Sequence, residues 1–282
     1  MVKIIKFKIS MKKRENTKEY EFSNKRMTDI KISVGDALFS NKNFNIIAGP
    51  CSIESEDHIF ELAHDIKKAG AGILRGGAFK LRTSPYDFQG LGKVALKYLV
   101  SAGKKENLPT VSEIIDVRHI DYYADLDMIQ VGARNMKNYT LLRELGRGDI
   151  PVLLKRGMDS TYEELLFAAE YIMFEGNSNV ILCERGIRTF ENYTRNTLDI
   201  SAVPALKNFT NLPIIVDPSH STGRSELVEP VSLGAAAAGA NGLIIEVHKN
   251  PSKALSDKEQ AVTPSELSNI VEKSKKIIEV LG

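Results

Sequence analysis

Cysteine is scarce in this chain, with only Cys51 and Cys183 among 282 residues. Two thiols in so long a chain exclude a disulfide framework. No Cys-x-x-Cys or His-Glu-x-x-His spacing occurs either, so no compact metal motif is present. Long apolar runs are missing, and no segment has the length needed to span a bilayer. The stretch from Met1 to Lys13 mixes lysine with isoleucine and phenylalanine in short alternation. It lacks the continuous apolar core and small-residue cleavage site of a secretory signal. An excess of charge of one sign is also absent, since 38 Lys and Arg nearly balance 36 Asp and Glu for a net +2. That balance argues against a nucleic-acid or polyanion surface. The expectation is a soluble cytoplasmic protein with neither nucleic-acid nor membrane partners.

What the chain does contain is regular alternation. Eight short β-rich runs recur at intervals of roughly 20 to 37 residues: Phe44–Gly49, Gly72–Gly76, Pro109–Glu113, Met128–Gly132, Val152–Lys155, Val180–Glu184, Ile214–Asp217 and Gly242–Val247. Helical segments lie between them. Ile59, Leu62, Ala63 and Ile66 repeat at helical spacing before Gly70. Ser160 and Glu163 have capping-box spacing before an apolar helix. Thr263-Pro264-Ser265-Glu266 offers an N-cap, a proline at the first helical position and a glutamate at the third. Strict β/α alternation predicts a parallel sheet, and eight units match an α/β fold of the (β/α)8 TIM-barrel type, typically about 250 residues. An open doubly wound sheet would normally carry a glycine-rich phosphate fingerprint after its first strand, but here that strand ends in Gly49-Pro50-Cys51-Ser52. The barrel is expected over residues 41–282. Residues 1–40 form an N-terminal extension whose hairpin, Asp29–Val34 and Ala37–Phe39 around Gly35-Asp36, would cap the N-terminal mouth. The highly charged residues 11–26 are expected to be disordered.

Active sites of such barrels sit at the C-terminal strand ends. Reading those ends in order finds Cys51, Arg75, Glu113, Arg134, Lys155 with Arg156, Arg185, His220, and Glu246 with His248. One polar strand terminus means little, because loops are polar anyway; eight in succession are hard to explain as solvated ends. The loop after the second strand adds Lys80, Arg82 and Thr83. Arg75, Lys80, Arg82, Arg134, Lys155, Arg156 and Arg185 thus put seven cations at one mouth, and such clusters bind phosphate and carboxylate oxygens. A small, highly anionic substrate is expected, or two of them.

Cys51, His220 and Glu246 end the first, seventh and eighth strands, which are neighbours in a closed barrel. Asp257, eleven residues past Glu246, lies in the last loop and could fold back over the mouth; Asp257-Lys258-Glu259 reads equally as a solvated charge cluster. This mixed donor set suits Mn, Fe, Zn or Co better than Mg or Ca. Cys183, inside the apolar run Val180–Cys183, reads instead as a buried packing thiol.

Longer motifs surround these residues. Gly-Pro-Cys-Ser-Ile-Glu-Ser at 49–55, Leu-Arg-Gly-Gly-Ala-Phe-Lys at 74–80, Arg-Thr-Ser-Pro-Tyr-Asp-Phe-Gln-Gly-Leu-Gly at 82–92, Gln-Val-Gly-Ala-Arg-Asn at 130–135, Leu-Leu-Lys-Arg-Gly at 153–157 and Leu-Cys-Glu-Arg-Gly-Ile-Arg-Thr-Phe at 182–190 resemble the type Iβ 3-deoxy-D-arabino-heptulosonate 7-phosphate (DAHP) synthases. The match runs in order from about residue 30 to the C-terminus. The resemblance implies condensation of phosphoenolpyruvate with erythrose 4-phosphate and water to give DAHP and phosphate, the first step of the shikimate pathway to aromatic amino acids. It implies one divalent ion, manganese among the candidates, on Cys51, His220, Glu246 and Asp257. It also implies that Arg134 and Arg185 hold the phosphoenolpyruvate phosphate, that Arg75 and Lys155 hold its carboxylate, and that Lys80, Arg82 and Thr83 face erythrose 4-phosphate. Arg156 would add to the same anion site. Glu113 and Lys155 would be the catalytic residues, Glu113 orienting phosphoenolpyruvate or water, with Lys155 or a metal-bound water serving in proton transfer. A homodimer or homotetramer is expected on the same basis.

Two positions depart from the family pattern. Leu81 stands where Lys-Pro-Arg-Thr usually has proline, removing a fixed φ from the substrate loop. Lys258 replaces the usual glycine after Asp257. The sister enzymes that make 3-deoxy-octulosonate 8-phosphate from arabinose 5-phosphate are the alternative. They typically carry Asn before the loop arginine, where this chain has Leu81. A Schiff-base aldolase using Lys155, or an anion-binding protein without turnover, are more distant readings. About 28 residues precede the hairpin, too few for an added regulatory domain, so inhibition by tyrosine or phenylalanine is not expected.

Overall fold

Strands and helices alternate through the chain as the spacing predicts. The structure is a computed structural model that describes residues 20–23, 30–80, 84 and 86–281. Leu81, Arg82 and Thr83 lie outside the described residues, as do Asp29 and most of 11–26. A short hairpin comes first: β1 (Ile32–Val34) and β2 (Ala37–Phe39), antiparallel, with Val34 opposite Ala37. Its turn uses Gly35 at φ +53, where a Cβ would come within 2.6 Å of the Pro109 side chain. The eight parallel strands are β3 (Asn45–Gly49), β4 (Ile73–Arg75), β5 (Thr110–Ile114), β6 (Met128–Val131), β7 (Val152–Lys155), β8 (Val180–Glu184), β9 (Ile214–Val216) and β10 (Gly242–Glu246). They pair in sequence, and β10 closes on β3 with Glu246 opposite Gly49. All eight fall within or beside the expected runs. The helices are α1 (Glu56–Lys68), α2 (Lys93–Glu106), α3 (Tyr139–Gly146), α4 (Tyr162–Phe174), α5 (Ala202–Leu206), α6 (Pro218–Thr222), α7 (Ser225–Ala237) and α8 (Pro264–Leu281). None of the described helices is long and apolar enough to cross a membrane.

Alternate strand residues face opposite sides, and the two sides build two cores. Ile46, Ala48, Leu74, Ile129, Leu154, Leu182, Val216 and Ile245 pack outward against the helices, meeting Ile59, Leu62, Ala63 and Ile66 of α1. Ile47, Ile73, Val111, Met128, Leu153, Ile181, Cys183, Ile215 and Ile244 fill the barrel itself. Cys183 is a buried packing thiol, as its apolar run predicts. The hairpin supplies Ile32, Val34 and Phe39 to this inner core. It is fastened to the strand starts by Asn45 Nδ2 donating to Leu38 O and Asn241 Nδ2 donating to Ser40 O, both at 2.9 Å. Those three side chains are buried against the strand-start end of the inner core.

Two local expectations shift. The capping box of α4 is Thr161 with Glu164, one residue later than Ser160 with Glu163. Ser160 is 3% exposed and its carbonyl accepts from Arg156 Nε at 2.8 Å, so it belongs to the preceding loop. Within 11–26, the described Tyr20–Ser23 piece packs on α4 rather than standing free. Glu170 accepts the Phe22 and Ser23 backbone N–H groups, and Tyr20 and Phe22 pack on Phe167 and Phe174. The α8 start follows the sequence: Thr263 Oγ1 accepts from Glu266 N at 3.3 Å while Glu266 Oε2 accepts from Thr263 N at 2.6 Å.

Candidate active site at the C-terminal rim of the barrel

Asp217 follows β9 directly and caps α6, with Pro218 at the first helical position. Its carboxylate accepts from His220 N and from His220 Nδ1, both at 2.8 Å, and from Lys155 Nζ at 2.5 Å. A carboxylate only accepts, so His220 Nδ1 carries the proton and the Nε2 lone pair faces Glu246 Oε1 at 3.3 Å. The Asp217 side chain is fully buried. Burial alone would push its carboxyl up, but His220 and Lys155 hold it well below the ordinary range. Burial lowers His220 in turn, which favours the neutral ring that a metal ligand requires.

Glu246 sits on the next strand and is fully buried. It receives Arg75 NH1 at 2.9 Å and Gln260 Nε2 at 2.5 Å, and its backbone N–H donates to Ser219 Oγ at 3.0 Å. Against the upward push of burial, His220, Arg75 and Lys80 draw its carboxyl far down. Cys51 lies just past β3, the strand beside β10. Its thiol donates to Asp257 Oδ2 at 2.8 Å and accepts from Lys80 Nζ at 2.7 Å. Burial first and Glu246 second push that thiol up to about 12. Asp257 does fold back over the mouth: it adopts φ +48 and also receives Arg195 NH1 at 3.3 Å.

One ligand atom from each of Cys51, His220, Glu246 and Asp257 lies within 4.8 Å of all the others. The four expected ligands therefore converge from three adjacent strand ends and the last loop. The donors suit a divalent first-row ion in chemistry as well as in proximity. They combine a thiol, an imidazole nitrogen turned inward by a buried carboxylate, and two carboxylates, a pattern found around metal-binding histidines.

A polar cavity opens beside this cluster, with His220 and Asp257 on its wall. Lys80, Arg134, Lys155, Arg185 and Arg195 contribute cations to it, and Glu113 contributes a carboxylate. Glu113 reaches the cavity because Gly132 stands opposite, where an added Cβ would fall 2.0 Å from Glu113 Oε1. Gln130 Nε2 holds the other oxygen at 2.9 Å. Burial lowers Arg185, whose guanidinium is anchored among the described residues to carbonyls, those of Gly186 and His220.

Two expected rim cations sit elsewhere. Arg156 is buried among Glu184, Asp199 and the Ser160 carbonyl, stacks on Tyr162, and does not line the cavity. Arg75 is spent on Glu246. Three residues were not foreseen: Asp217, Arg195 and Gln260. Asp217 was legible as an Asp-Pro helix start. Arg195 and Gln260 come from irregular loops with no periodicity to mark them, and they bond each other at 3.0 Å.

Comparison with known proteins agrees with this fold. The chain is 51% identical over 257 residues to the phospho-2-dehydro-3-deoxyheptonate aldolase of Thermotoga maritima, covering 90% of this chain and 75% of that one. The crystal structure of the Thermotoga maritima DAHP synthase superposes with a TM-score of 0.91 at 48% identity, over 94% of this chain and 79% of that one. A 2-dehydro-3-deoxyphosphooctonate aldolase from Bartonella henselae is 30% identical over 261 residues, covering 86% and 92%. The DAHP synthetase I family matches residues 15–281. With that span and the convergent rim residues together, the chain belongs to the DAHP synthetase I family.

Proposed function

We propose that this chain condenses phosphoenolpyruvate with erythrose 4-phosphate and water, releasing DAHP and phosphate. The observation that carries the reading is the cationic cavity flush against the Cys51, His220, Glu246 and Asp257 donors. Two phosphates and a carboxylate bring about five negative charges, each phosphomonoester contributing roughly −1.5 to −2. Lys80, Arg134, Lys155, Arg185 and Arg195 offset them. Arg134 and Arg185 hold the phosphoenolpyruvate phosphate, and Arg185 is suited to this because it has no carboxylate bonded to it among the described residues. Lys155 meets the carboxylate of phosphoenolpyruvate. Arg75, paired with Glu246, supports the centre rather than the substrate. Lys80 faces erythrose 4-phosphate, with Arg82 and Thr83 beside it in sequence.

Carbon 3 of phosphoenolpyruvate bonds to the aldehyde carbon, and carbon 2 then takes water. The resulting phosphohemiketal loses phosphate by cleavage of its carbon–oxygen bond. Glu113 orients that water, and the Lys155 ammonium is placed to give a proton to the developing alkoxide. When bound, a divalent ion supplies Lewis acidity to the aldehyde oxygen. The donors favour Mn, Fe, Zn or Co, and we assign manganese. Holding two anions in near-attack geometry accounts for much of the remaining rate enhancement. Lys155 is held by the buried Asp217 carboxylate at 2.5 Å, a partner that a Schiff-base lysine would have to give up. The reading includes residues 1–40 as a cap on the catalytic barrel of 41–282. It also includes a homodimer or homotetramer acting in the cytoplasm.

Phosphate release from phosphoenolpyruvate should require erythrose 4-phosphate, stop after metal stripping and return on adding Mn2+. Preferential use of arabinose 5-phosphate would move the chain to the octulosonate branch. Full activity in chelator would remove the ion from the reaction.

A further inference from the structure

A second group of metal-ligand side chains lies on the same rim. Glu54, His58 and His248 also bring ligand atoms within 4.8 Å of one another. The hydrogen bonds of the imidazoles distinguish this group from the first. His220 gives its Nδ1 proton to Asp217, so its Nε2 turns a lone pair toward Glu246 Oε1 at 3.3 Å. His248 does the opposite, with Nδ1 accepting the Asn250 backbone N–H at 2.9 Å. A neutral ring that accepts at Nδ1 carries its proton on Nε2, and an N–H does not ligate a cation. That N–H faces Glu54 Oε2 at 3.6 Å. The other Glu54 oxygen accepts the Leu255 backbone N–H at 2.7 Å. His248 is 7% exposed, its Nε2 has no closer partner among the described residues, and the His58 ring packs on it at 4.6 Å. The group is therefore a carboxylate bonded by one N–H donor and faced by a second.

Its place in the chain gives it a task. Glu54 follows Cys51 by three residues, and Leu255 precedes Asp257 by two. Between them Ser52 Oγ and Ser256 Oγ form a second, buried link at 2.8 Å. Asp257 lies in no helix or strand and holds φ +48, a conformation that a non-glycine keeps only when its surroundings impose it. The two loops that carry Cys51 and Asp257 are thus clasped twice, at the two residues just before that conformation.

We propose that Glu54 is a positioning residue: by bonding Leu255 N–H and facing His248 N–H, it sets Asp257 opposite Cys51 and so controls the cation affinity of the centre. This rests on the reading that Cys51, His220, Glu246 and Asp257 take a divalent ion. Partners that orient metal ligands typically contribute about 10- to 100-fold to affinity. Glu54→Gln keeps the shape but turns an amide N–H2 toward one of the two N–H groups.

The test is equilibrium dialysis of Mn2+ into metal-stripped protein, using the parent, Cys51→Ala, Glu54→Gln, Asp257→Ala and the Glu54→Gln/Asp257→Ala pair. Glu54→Gln should bind about tenfold more weakly or worse, with the melting temperature of the metal-free protein within a few degrees of the parent. In the Asp257→Ala background the same change should cost less than about twofold, because a residue that acts through Asp257 has nothing left to position. Unchanged affinity in Glu54→Gln, or equal loss in both backgrounds, overturns the proposal. So does a second cation per chain that disappears in His248→Ala. If Glu54→Gln does not fold, Ser256→Ala cuts the other link: binding weakened by about threefold supports the clasp, and unchanged binding overturns it. A parent that takes up no Mn2+, or a Cys51→Ala protein that binds as the parent does, overturns the cation reading itself and this proposal with it.

Discussion

Lys155 Nζ and Asp217 Oδ2 lie 2.5 Å apart at the barrel rim, with side chains only 4% and 0% exposed. The same carboxylate holds His220 Nδ1, so one buried group orients both a cavity cation and a proposed metal ligand.

Asp217→Asn keeps the volume but removes the charge. An unpaired buried ammonium costs about 3–5 kcal/mol, so the denaturant midpoint should fall sharply. Affinity for Mn2+ should drop by about 10- to 100-fold, because the His220 tautomer is no longer imposed. The parent also gains acid sensitivity from this residue. Its folded pKa is depressed, so its contribution is complete above the unfolded value of about 3.9 and is lost as pH falls below it. Urea midpoints from pH 7 down to pH 2 should therefore decline more steeply below pH 4 in the parent than in the variant.

Cation binding should release a proton from Cys51. In the metal-free protein burial and Glu246 raise this thiol to about 12, whereas a bound ligand is the thiolate. The apparent affinity for Mn2+ should therefore rise by up to about tenfold per pH unit between pH 6.5 and 8. The raised thiol also contributes stability that is whole below its unfolded value of about 8.5 and is lost as pH climbs toward 12. Calorimetry in two buffers of different ionisation enthalpy would count the proton; no proton released would contradict the assignment of Cys51 as ligand.

Gly132→Ala should damage catalysis more than stability. Its Cβ would lie 2.0 Å from Glu113 Oε1, displacing the carboxylate from the cavity. We expect kcat to fall about 100-fold, the scale of a general acid–base contribution, with the melting temperature changed by a few degrees. Steady-state kinetics with both substrates, beside a thermal melt, would decide it.

Phe39→Ala probes the hairpin cap. Phe39 is fully buried in the inner barrel core with Ile32 and Val34, and such truncations cost about 3–5 kcal/mol. A loss below 1 kcal/mol by urea titration would mean that the hairpin contributes little to closing the barrel.

The eightfold alternation, strand positions and hairpin were legible because they follow local periodicity. Ile59, Leu62, Ala63 and Ile66 mark the buried face of α1 within four turns. Cys51, His220 and Glu246 were legible once closure made their strands neighbours. Arg156 misled, because a strand-end position does not reveal which way the side chain turns once Glu184 and Asp199 compete for it.

By itself the sequence determined that a (β/α)8 barrel forms and that its C-terminal rim is rich in cations and metal donors. Both follow from spacing along the chain and from the alternating faces of a strand. Only the tertiary structure decided which rim groups face the cavity and which neutralise one another. It set Arg195 on the cavity wall in place of Arg156, brought Gln260 to Glu246, and folded Asp257 against Cys51 across 206 residues. The reason is physical: loop side chains settle by long-range hydrogen bonds and charge pairing in a closed rim, and no local pattern encodes those partners.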